Sequence, residues 1–438
     1  MRRSFPLMLR SLMYALRGGF LVRPLVIALL LGATGAVLSS LEEAIPAVSA
    51  WMPATLFPSH QDPQMAQVIF GGIASSIMTV VSIVFAILLM TLTLASTQFS
   101  PRILVNFVRD RTTQWTLGLF LGTFSYCMAA LPAARSQPYP FAPVVTLLGA
   151  MLLALLCVGW LVFFINHISQ SVSVNHIVDR IARETEQVID ELMPLTRSGM
   201  YRADPPTVPP IDNEDAIVSD RSGYVRFIDT RQLLYLARGH GIRVRVQRRV
   251  GHYIPAGVPL LLVSRPDRLT HDLIAELLGT VDIGPTRTLQ QDVEFGVIQI
   301  VDIGLRAISP AVNDPSTAIS CVDQLSRILI RWIGRVRPSP HLYDPPHVLR
   351  VVLPWIDFNG LLDTAFEQIR HYAEGDVAVS LRLLRAYADI AGTVGDPFLR
   401  ETLRQRAQAV VAGCEARLTA VDLARLRDRA ALVPEFAG

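Results

Sequence analysis

The sequence predicts a membrane α-helical protein: four transmembrane helices with both termini cytoplasmic, followed by a cytoplasmic α+β domain. That domain contains a small β module and a helical C-terminal part. Three observations carry the prediction. Of 438 residues, 51% are hydrophobic and only 18% charged, with a mean hydropathy of +0.38, too apolar for a soluble chain and too polar for an all-membrane one. Four long apolar runs lie in the first 165 residues. Arginine-rich and arginine-poor flanks alternate between them.

The N-terminus carries Arg2, Arg3, Arg10, Arg17 and Arg23 ahead of an apolar run from Pro24 to Leu41. A cleavable signal peptide, with Val48 and Ala50 at the cleavage site, is the competing reading. The run is long for a signal and further spans follow, so an uncleaved helix is preferred. Between Glu42 and Gln67 there are Glu42, Glu43 and Asp62 but no arginine. Arg102, Arg109 and Arg111 crowd the connection after the second run. The third run spans Trp115–Leu131, the next loop holds only Arg135, and the fourth spans Phe141–Ile165. This places both ends of the chain in the cytoplasm, with four spans between them.

The second run is the informative one. From Gln67 to Thr97 it has no ionisable side chain, and at roughly 1.5 Å per residue it reaches about 45 Å, beyond a hydrocarbon core of about 30 Å. Ser75, Thr79, Ser82, Ala86, Leu89, Thr93, Ser96 and Ser100 follow an alternating four-then-three step and share one helical face. A face with six hydroxyls is expected to turn toward protein or water. One reading makes it the lining of a pore, with Ala86 and Leu89 as an apolar constriction and Arg102, Arg109 and Arg111 at the inner mouth. One such helix cannot enclose a pore, so this reading requires a homo-oligomer. The other reading is close packing, for which Gly71, Gly72, Ser75 and Ser76 supply small residues at helical spacing. The implied partners are the lipid bilayer, further copies of the chain and, for a pore, inorganic ions; no nucleic acid is implied.

After the fourth run, Asn166–Leu195 keeps an apolar stripe at Ile168, Val172, Ile177, Ile181, Val188 and Leu192 and is expected to continue as a helix leaving the bilayer. Residues 166–222 form this extension and a proline-rich linker. Residues 223–266 form the β module, with strands at Tyr224–Ile228, Ile242–Arg248 and Pro259–Val263 around a helix at Arg231–Arg238. The string Gly251-x-x-Ile254-x-x-Gly257-x-Pro259-Leu260 resembles the hairpin of lipoyl- and biotinyl-type modules. All 40 basic residues are arginine, however, so no cofactor-carrying lysine exists.

Residues 267–438 read as helical, with helices at Val293–Ile308, Pro315–Ile333, Asn359–Ala373, Val377–Thr393, Phe398–Leu418 and Ala420–Ala431. A strand-like run, HVLRVVLPWIDF, interrupts them. At the join of the first two, Arg306, Ser309, Asn313 and Asp314 make either a helix cap or a small anion site; Asp314 followed by Pro315 favours the cap, and Asp396-Pro397 repeats it.

Catalytic signatures are missing: there is no dinucleotide fingerprint, phosphate loop, nucleophile elbow or zinc-protease motif. Cys127, Cys157, Cys321 and Cys414 show no metal or disulfide spacing, and the nine histidines lie apart. No enzyme activity, cofactor or metal is expected.

The segment SSIMTVVSIVFAILLMTLTLASTQFSPRILVNFVRDRTTQWTLGLFLGTFSY resembles the signature region of a bacterial membrane-protein family known as domain of unknown function 2254. So do FINHISQSVSVNHIVDRIARE, GYVRFIDTRQLLYLA, DIGLRAISPAVNDPSTAISCVD and FNGLLDTAFEQIRHYAEGDVAVSLRLL. The resemblance implies a four-span inner-membrane protein with a cytoplasmic domain and brings no activity or site residues. The leading expectation is a homo-oligomeric ion channel or conductance pathway coupled to a cytoplasmic regulatory domain. The alternative is a membrane-anchored sensor or scaffold whose cytoplasmic domain binds a ligand or partner.

Overall fold

The computed structural model describes residues 22–45, 62–98, 111–137, 140–171, 173–193, 214–336, 338–345 and 347–433, the side chains of 94–98 and 170–171 excepted. The chain divides into two compact units, residues 1–173 and 174–438.

Among the described residues, the first unit contains four helices long and apolar enough to cross a membrane: α1 (Val22–Ala44), α2 (Pro63–Gln98), α3 (Arg111–Ala130) and α4 (Val144–Ser171). Half of the α3 span is buried, against 22% or less of each of the others, so α3 is the central helix. It packs on α1, α2 and α4. Its closest neighbour is α1, and Gly118 and Gly122 are the reason. A Cβ at Gly118 would lie 2.6 Å from Ile27 Cδ1, and one at Gly122 2.4 Å from Leu31 Cδ1. Apolar side chains gain little by leaving lipid for protein, so close backbone approach at small residues is what joins such helices.

The α2 helix starts at Pro63, four residues before the apolar run. Asp62 accepts from the backbone N–H of Gln64 at 3.0 Å, and Pro63 sits where no N–H is needed. Its buried seam runs through Ala66, Phe70, Ala74, Ile77, Val81 and Val84, packed against α3 and α4.

Glu42 is expected from the sequence only as an acid in an arginine-free loop. Instead it lies within α1, 1% exposed. Its carboxylate accepts from the backbone N–H of Val145 (2.9 Å) and Thr146 (3.1 Å) and from the Thr146 hydroxyl (3.0 Å). The C-terminal turn of α1 thereby caps the N-terminus of α4, where orphan N–H groups and the helix dipole favour negative charge. Tyr126 of α3 donates to the Thr146 carbonyl at 3.0 Å and ties a third helix to the same point.

A continuous helix over 166–195 is not what forms: α4 ends at Ser171 and α5 (Val174–Leu192) begins three residues later, as part of the second unit. The apolar face of α5, including Ile177, Ile181, Thr185 and Ile189, packs on α8 (Val293–Ala307) and α9 (Pro315–Ile333). Asp179, Glu186 and Asp190 of α5 pair with Arg327, Arg331 and Arg335, a ladder at helical spacing along and just beyond α9.

The strands are β1 (Glu214–Val218), β2 (Gly223–Ile228), β3 (Val244–Val246), β4 (Tyr253–Ile254), β5 (Pro259–Ser264), β6 (Val281–Gly284), β7 (His341–Asp344) and β8 (Val348–Val352). They form a five-stranded sheet, β1-β5-β3-β8-β7, and a three-stranded one, β4-β2-β6, with β3 and β8 the parallel pair. Helices α6 (Thr230–Gly239) and α7 (His271–Gly279) complete an apolar core around Val225, Leu233, Val244, Leu261 and Leu277.

Two expectations are corrected. The β module is not confined to 223–266: β1 lies in the expected linker, and β6, β7 and β8 come from the stretch expected to be largely helical. The Gly251–Leu260 string is not a hairpin either, because β4 and β5 join different sheets. The turn at Gly257 (φ +81°) bonds instead to Ser219, between β1 and β2.

Helices α10 (Phe358–Tyr372), α11 (Val377–Thr393), α12 (Pro397–Cys414) and α13 (Ala420–Ala430) follow within a residue or a few of their expected bounds. Asp314, Asp357, Asp376, Asp396 and Thr419 each accept from a backbone N–H of the next helix.

Replacing Glu42 with Ala leaves the α4 N-terminus without its acceptor. The expected loss is about 1–2 kcal/mol of stability, read as a lower melting temperature of the protein in lipid nanodiscs, with Glu42→Gln intermediate. An unchanged melting temperature in Glu42→Ala shows that the cap contributes nothing.

Candidate functional site

Two features of the described residues merit the name of a site: one face of α2, and a cavity in the second unit.

On α2, Ser75, Thr79, Ser82, Ala86, Leu89 and Thr93 are all exposed on the single chain, Leu89 at 56%. They lie to one side of the buried seam, and none of the other described elements of the unit covers them. Gly71 and Gly72 have nothing within 4 Å of where a Cβ would sit, so the expected small-residue contact is not made inside the subunit. Close packing is made instead at other glycines, among them Gly35 of α1 and Gly118 and Gly122 of α3; the last two were passed over by the sequence reading although their i, i+4 spacing is the signal for such packing.

The hydroxyls are not free. Thr79 donates to the Ser75 carbonyl (3.0 Å), Ser82 to that of Met78 (3.0 Å) and Thr93 to that of Leu89 (2.9 Å). Back-bonding of this kind satisfies a hydroxyl without water. The side chain of Ser96, and Ser100, Arg102 and Arg109, lie outside the described residues. Arg111 is the exposed first residue of α3.

The expected site at Arg306, Ser309, Asn313 and Asp314 is a helix junction. Ser309 donates to the Arg306 carbonyl at 2.7 Å, Asn313 takes φ +49°, and Asp314 caps α9 by accepting from Thr317 N–H at 3.1 Å and its hydroxyl at 2.5 Å. The Thr317 bonds hold the Asp314 carboxyl below its ordinary range. All four cysteines are buried, and burial pushes the Cys321 thiol up to about 12, which leaves it inert as a nucleophile. Among the described residues no group of His, Cys, Asp and Glu side chains is placed to hold a metal.

The second unit holds a cavity of about 250 Å³. Its wall combines the end of α5, the start of α8, the last turn of α9, the loop after β3 and the segment after β8, with Trp332 and Trp355 as its aromatic members. Beside it lies a cluster of four charges, Arg249, Arg287, Asp292 and Glu294. Arg249 makes two bonds to Glu294 (3.0 and 2.9 Å). Arg287 makes two to Asp292 (2.7 and 2.8 Å) and a third to Glu294 (3.0 Å). Thr364 of α10 adds a bond to Glu294 at 3.3 Å. Asp292, only 3% exposed, also caps α8 through Phe295 N–H.

Burial alone raises a carboxylate's pKa, but the hydrogen bonds and charges of Arg249 and Arg287 outweigh it and hold Glu294 below its ordinary value of 4.5. Next to the cluster, burial and then the Arg249 charge pull the His252 imidazole below 6.5. Gly251 is required here twice over. Its φ is +91°, and a Cβ would fall 2.5 Å from both Arg287 Nη2 and Asp292 Oδ2.

Residues 17–389 match the family described as predicted membrane protein, DUF2254. The chain belongs to that family. An uncharacterized protein of Mycobacterium bovis and one of Mycobacterium tuberculosis H37Rv are each 32% identical to it over 345 residues, 77% of this chain and 66% of theirs. The chain thus spans about two thirds of the length of these relatives. No solved structure matches it.

Stability of the second unit should depend on pH in two stages. As pH falls below 6.5 the unfolded chain protonates at His252 before the folded one does, so stability drops; His252→Gln should flatten this stage. Glu294, with its folded pKa depressed, contributes fully above 4.5 and loses that contribution as pH falls below it. Glu294→Gln should cost about 2 kcal/mol at neutral pH by leaving the part-buried Arg249 charge unmatched. Hydrogen exchange of the α8 amides measures both, and unaltered protection in Glu294→Gln refutes the second.

Proposed function

We propose that the protein is a homo-oligomer of the bacterial inner membrane, with both termini in the cytoplasm, whose α2 helices line an ion-conducting pathway. The second unit is its cytoplasmic regulatory part. The observation that carries this reading is the uncovered face of α2, from Gly71 to Thr93, small and hydroxyl-bearing and left bare by its own subunit. A further copy of the chain covers such a face by close helix approach. In the ring so formed, Ser75, Thr79 and Ser82 occupy the outer half and Thr93 the inner half. Ala86 and Leu89 between them form an apolar constriction that gates by dewetting.

A specific observation also supports the alternative, a membrane-anchored sensor or scaffold. The back-bonded hydroxyls of Thr79, Ser82 and Thr93 need no water, so the same face can serve as a dry contact between subunits or turn toward lipid.

Because the four native cysteines are buried, single cysteines introduced on α2 report cleanly. Under the channel reading, Ser82→Cys and Leu89→Cys in proteoliposomes react with a charged, water-soluble thiol reagent, and Leu89→Ser raises ion leak severalfold. If both cysteines stay silent while Val421→Cys, on an exposed position of α13, reacts after permeabilisation, the pathway does not exist and the sensor reading stands.

A further inference from the structure

What the cavity in the second unit can hold is set by the groups that reach it. Most of its wall is apolar, with Leu192, Ile228, Val250, Leu342, Leu353 and Ile356. Trp332 and Trp355 line it too, but their indole N–H groups have almost no accessible surface, so the face they show to the cavity is carbon. Gln291 is clamped to Ile228, accepting from its N–H at 3.0 Å and donating to its carbonyl at 3.3 Å. The Ser339 hydroxyl donates to the His341 carbonyl at 2.9 Å and accepts from its N–H at 3.2 Å. Arg249, Asp292 and Glu294 are matched within the charge cluster.

One charged group of the wall differs. Glu191, in the last turn of α5, is exposed and makes no hydrogen bond or ion pair among the described residues. Arg331 and Arg335 both turn to its neighbour Asp190. The cavity is therefore apolar inside, with a single unmatched carboxylate where it meets solvent.

We propose that this cavity binds a small hydrophobic amine, its aromatic body inside and its ammonium at the mouth against Glu191. Each part of that description has its reason. Benzene fills an apolar cavity of ~150 Å³, so a volume of about 250 Å³ takes two fused rings, or one ring with a short tail. A bound water needs two to four polar partners, and this wall has already committed most of its own, whereas an apolar body gains by leaving water. The matched cluster recruits no ion. Glu191 is reachable, attracts a cation and repels a carboxylate, and the ammonium beside it keeps much of its hydration.

Such a ligand also has a mechanical consequence. Trp332 is in the last turn of α9 and Leu192 closes α5, so an occupant braces the ends of the two helices that the Arg327, Arg331 and Arg335 ladder already joins. The inference stands apart from the channel reading and holds whether or not α2 lines a pore.

The test uses the full chain in nanodiscs of zwitterionic lipid, titrated calorimetrically at pH 7.5 with 2-phenylethylamine and tryptamine. 2-Phenylethanol and 3-phenylpropanoate are the neutral and anionic comparators, and empty nanodiscs correct for partition into lipid. Saturable binding of at least one amine is expected, about threefold tighter than the alcohol, with the acid weakest. Glu191→Gln should lower amine affinity about threefold, to the level of the alcohol, without touching the alcohol itself. Leu342→Trp, which fills the cavity from β7, should abolish binding of both. Hydrogen exchange of the α8 amides certifies that Leu342→Trp is folded; should it fail, Glu191→Gln, a change at an exposed side chain, decides alone. The proposal is overturned if neither amine saturates, if the alcohol or the acid binds as tightly, if Glu191→Gln leaves the preference for amines intact, or if binding survives in folded Leu342→Trp.

Discussion

The second unit depends on one part-buried constellation, the two arginines and two carboxylates at Arg249, Arg287, Asp292 and Glu294. Its members come from the loop after β3, the segment after β6 and the first turn of α8, and Thr364 of α10 completes the bonding. It is therefore where the sheets and the helical part are fastened together. Asp292 is buried and the other three charges are largely withdrawn from water, and each is matched in geometry as well as sign, so removal of one partner leaves a charge that its surroundings solvate poorly. Much else follows from making room for it. Gly251 has no side chain because the arginine and aspartate stand where one would be. Asp292 serves at once as ion-pair partner and as cap of α8. The cavity opens beside the cluster, with two tryptophans at its wall.

The membrane unit solves the corresponding problem in a different solvent. Without water in the bilayer core, a helix terminus must find its partners in protein. At the junction of α1, α3 and α4 it does so through Glu42 and Tyr126, a carboxylate received by helix N–H groups and a phenol donating to a carbonyl. Helix association there rests on glycines, with α1 laid directly against α3. The same logic makes α2 notable. Its Gly72, Ser75, Thr79, Ser82 and Thr93 are exposed on the subunit, while Ala66 and Ala74 of the same helix are buried in its seam.

Hydroxyls in a membrane helix are ambiguous by nature. Each can bond to the carbonyl a turn behind it, as Thr79, Ser82 and Thr93 do, or release that bond to meet water or another chain. The two outcomes differ little in energy for the helix itself, so the environment chooses. This is why a stripe of serines and threonines serves equally as a conduction surface and as a seam.

The sequence by itself determined the four spans, the family, the identity of α2 as the unusual helix, and most helices of the second unit to within a few residues. These are properties of local pattern: apolar length, hydroxyl spacing, aspartate before a helix, as at Asp314-Pro315, Asp376 and Asp396. Tertiary structure alone decided that Glu42 of α1 is the cap of α4, roughly a hundred residues along the chain. It also decided that β4 and β5 part company into separate sheets, and that Arg249, Arg287, Asp292 and Glu294 converge. It alone put Trp332 and Trp355 on one cavity wall. The physical reason is common to all of these: a charge or an indole N–H is indifferent to its neighbours in sequence, and acquires a partner only when folding brings distant segments within hydrogen-bonding distance and removes the water between them.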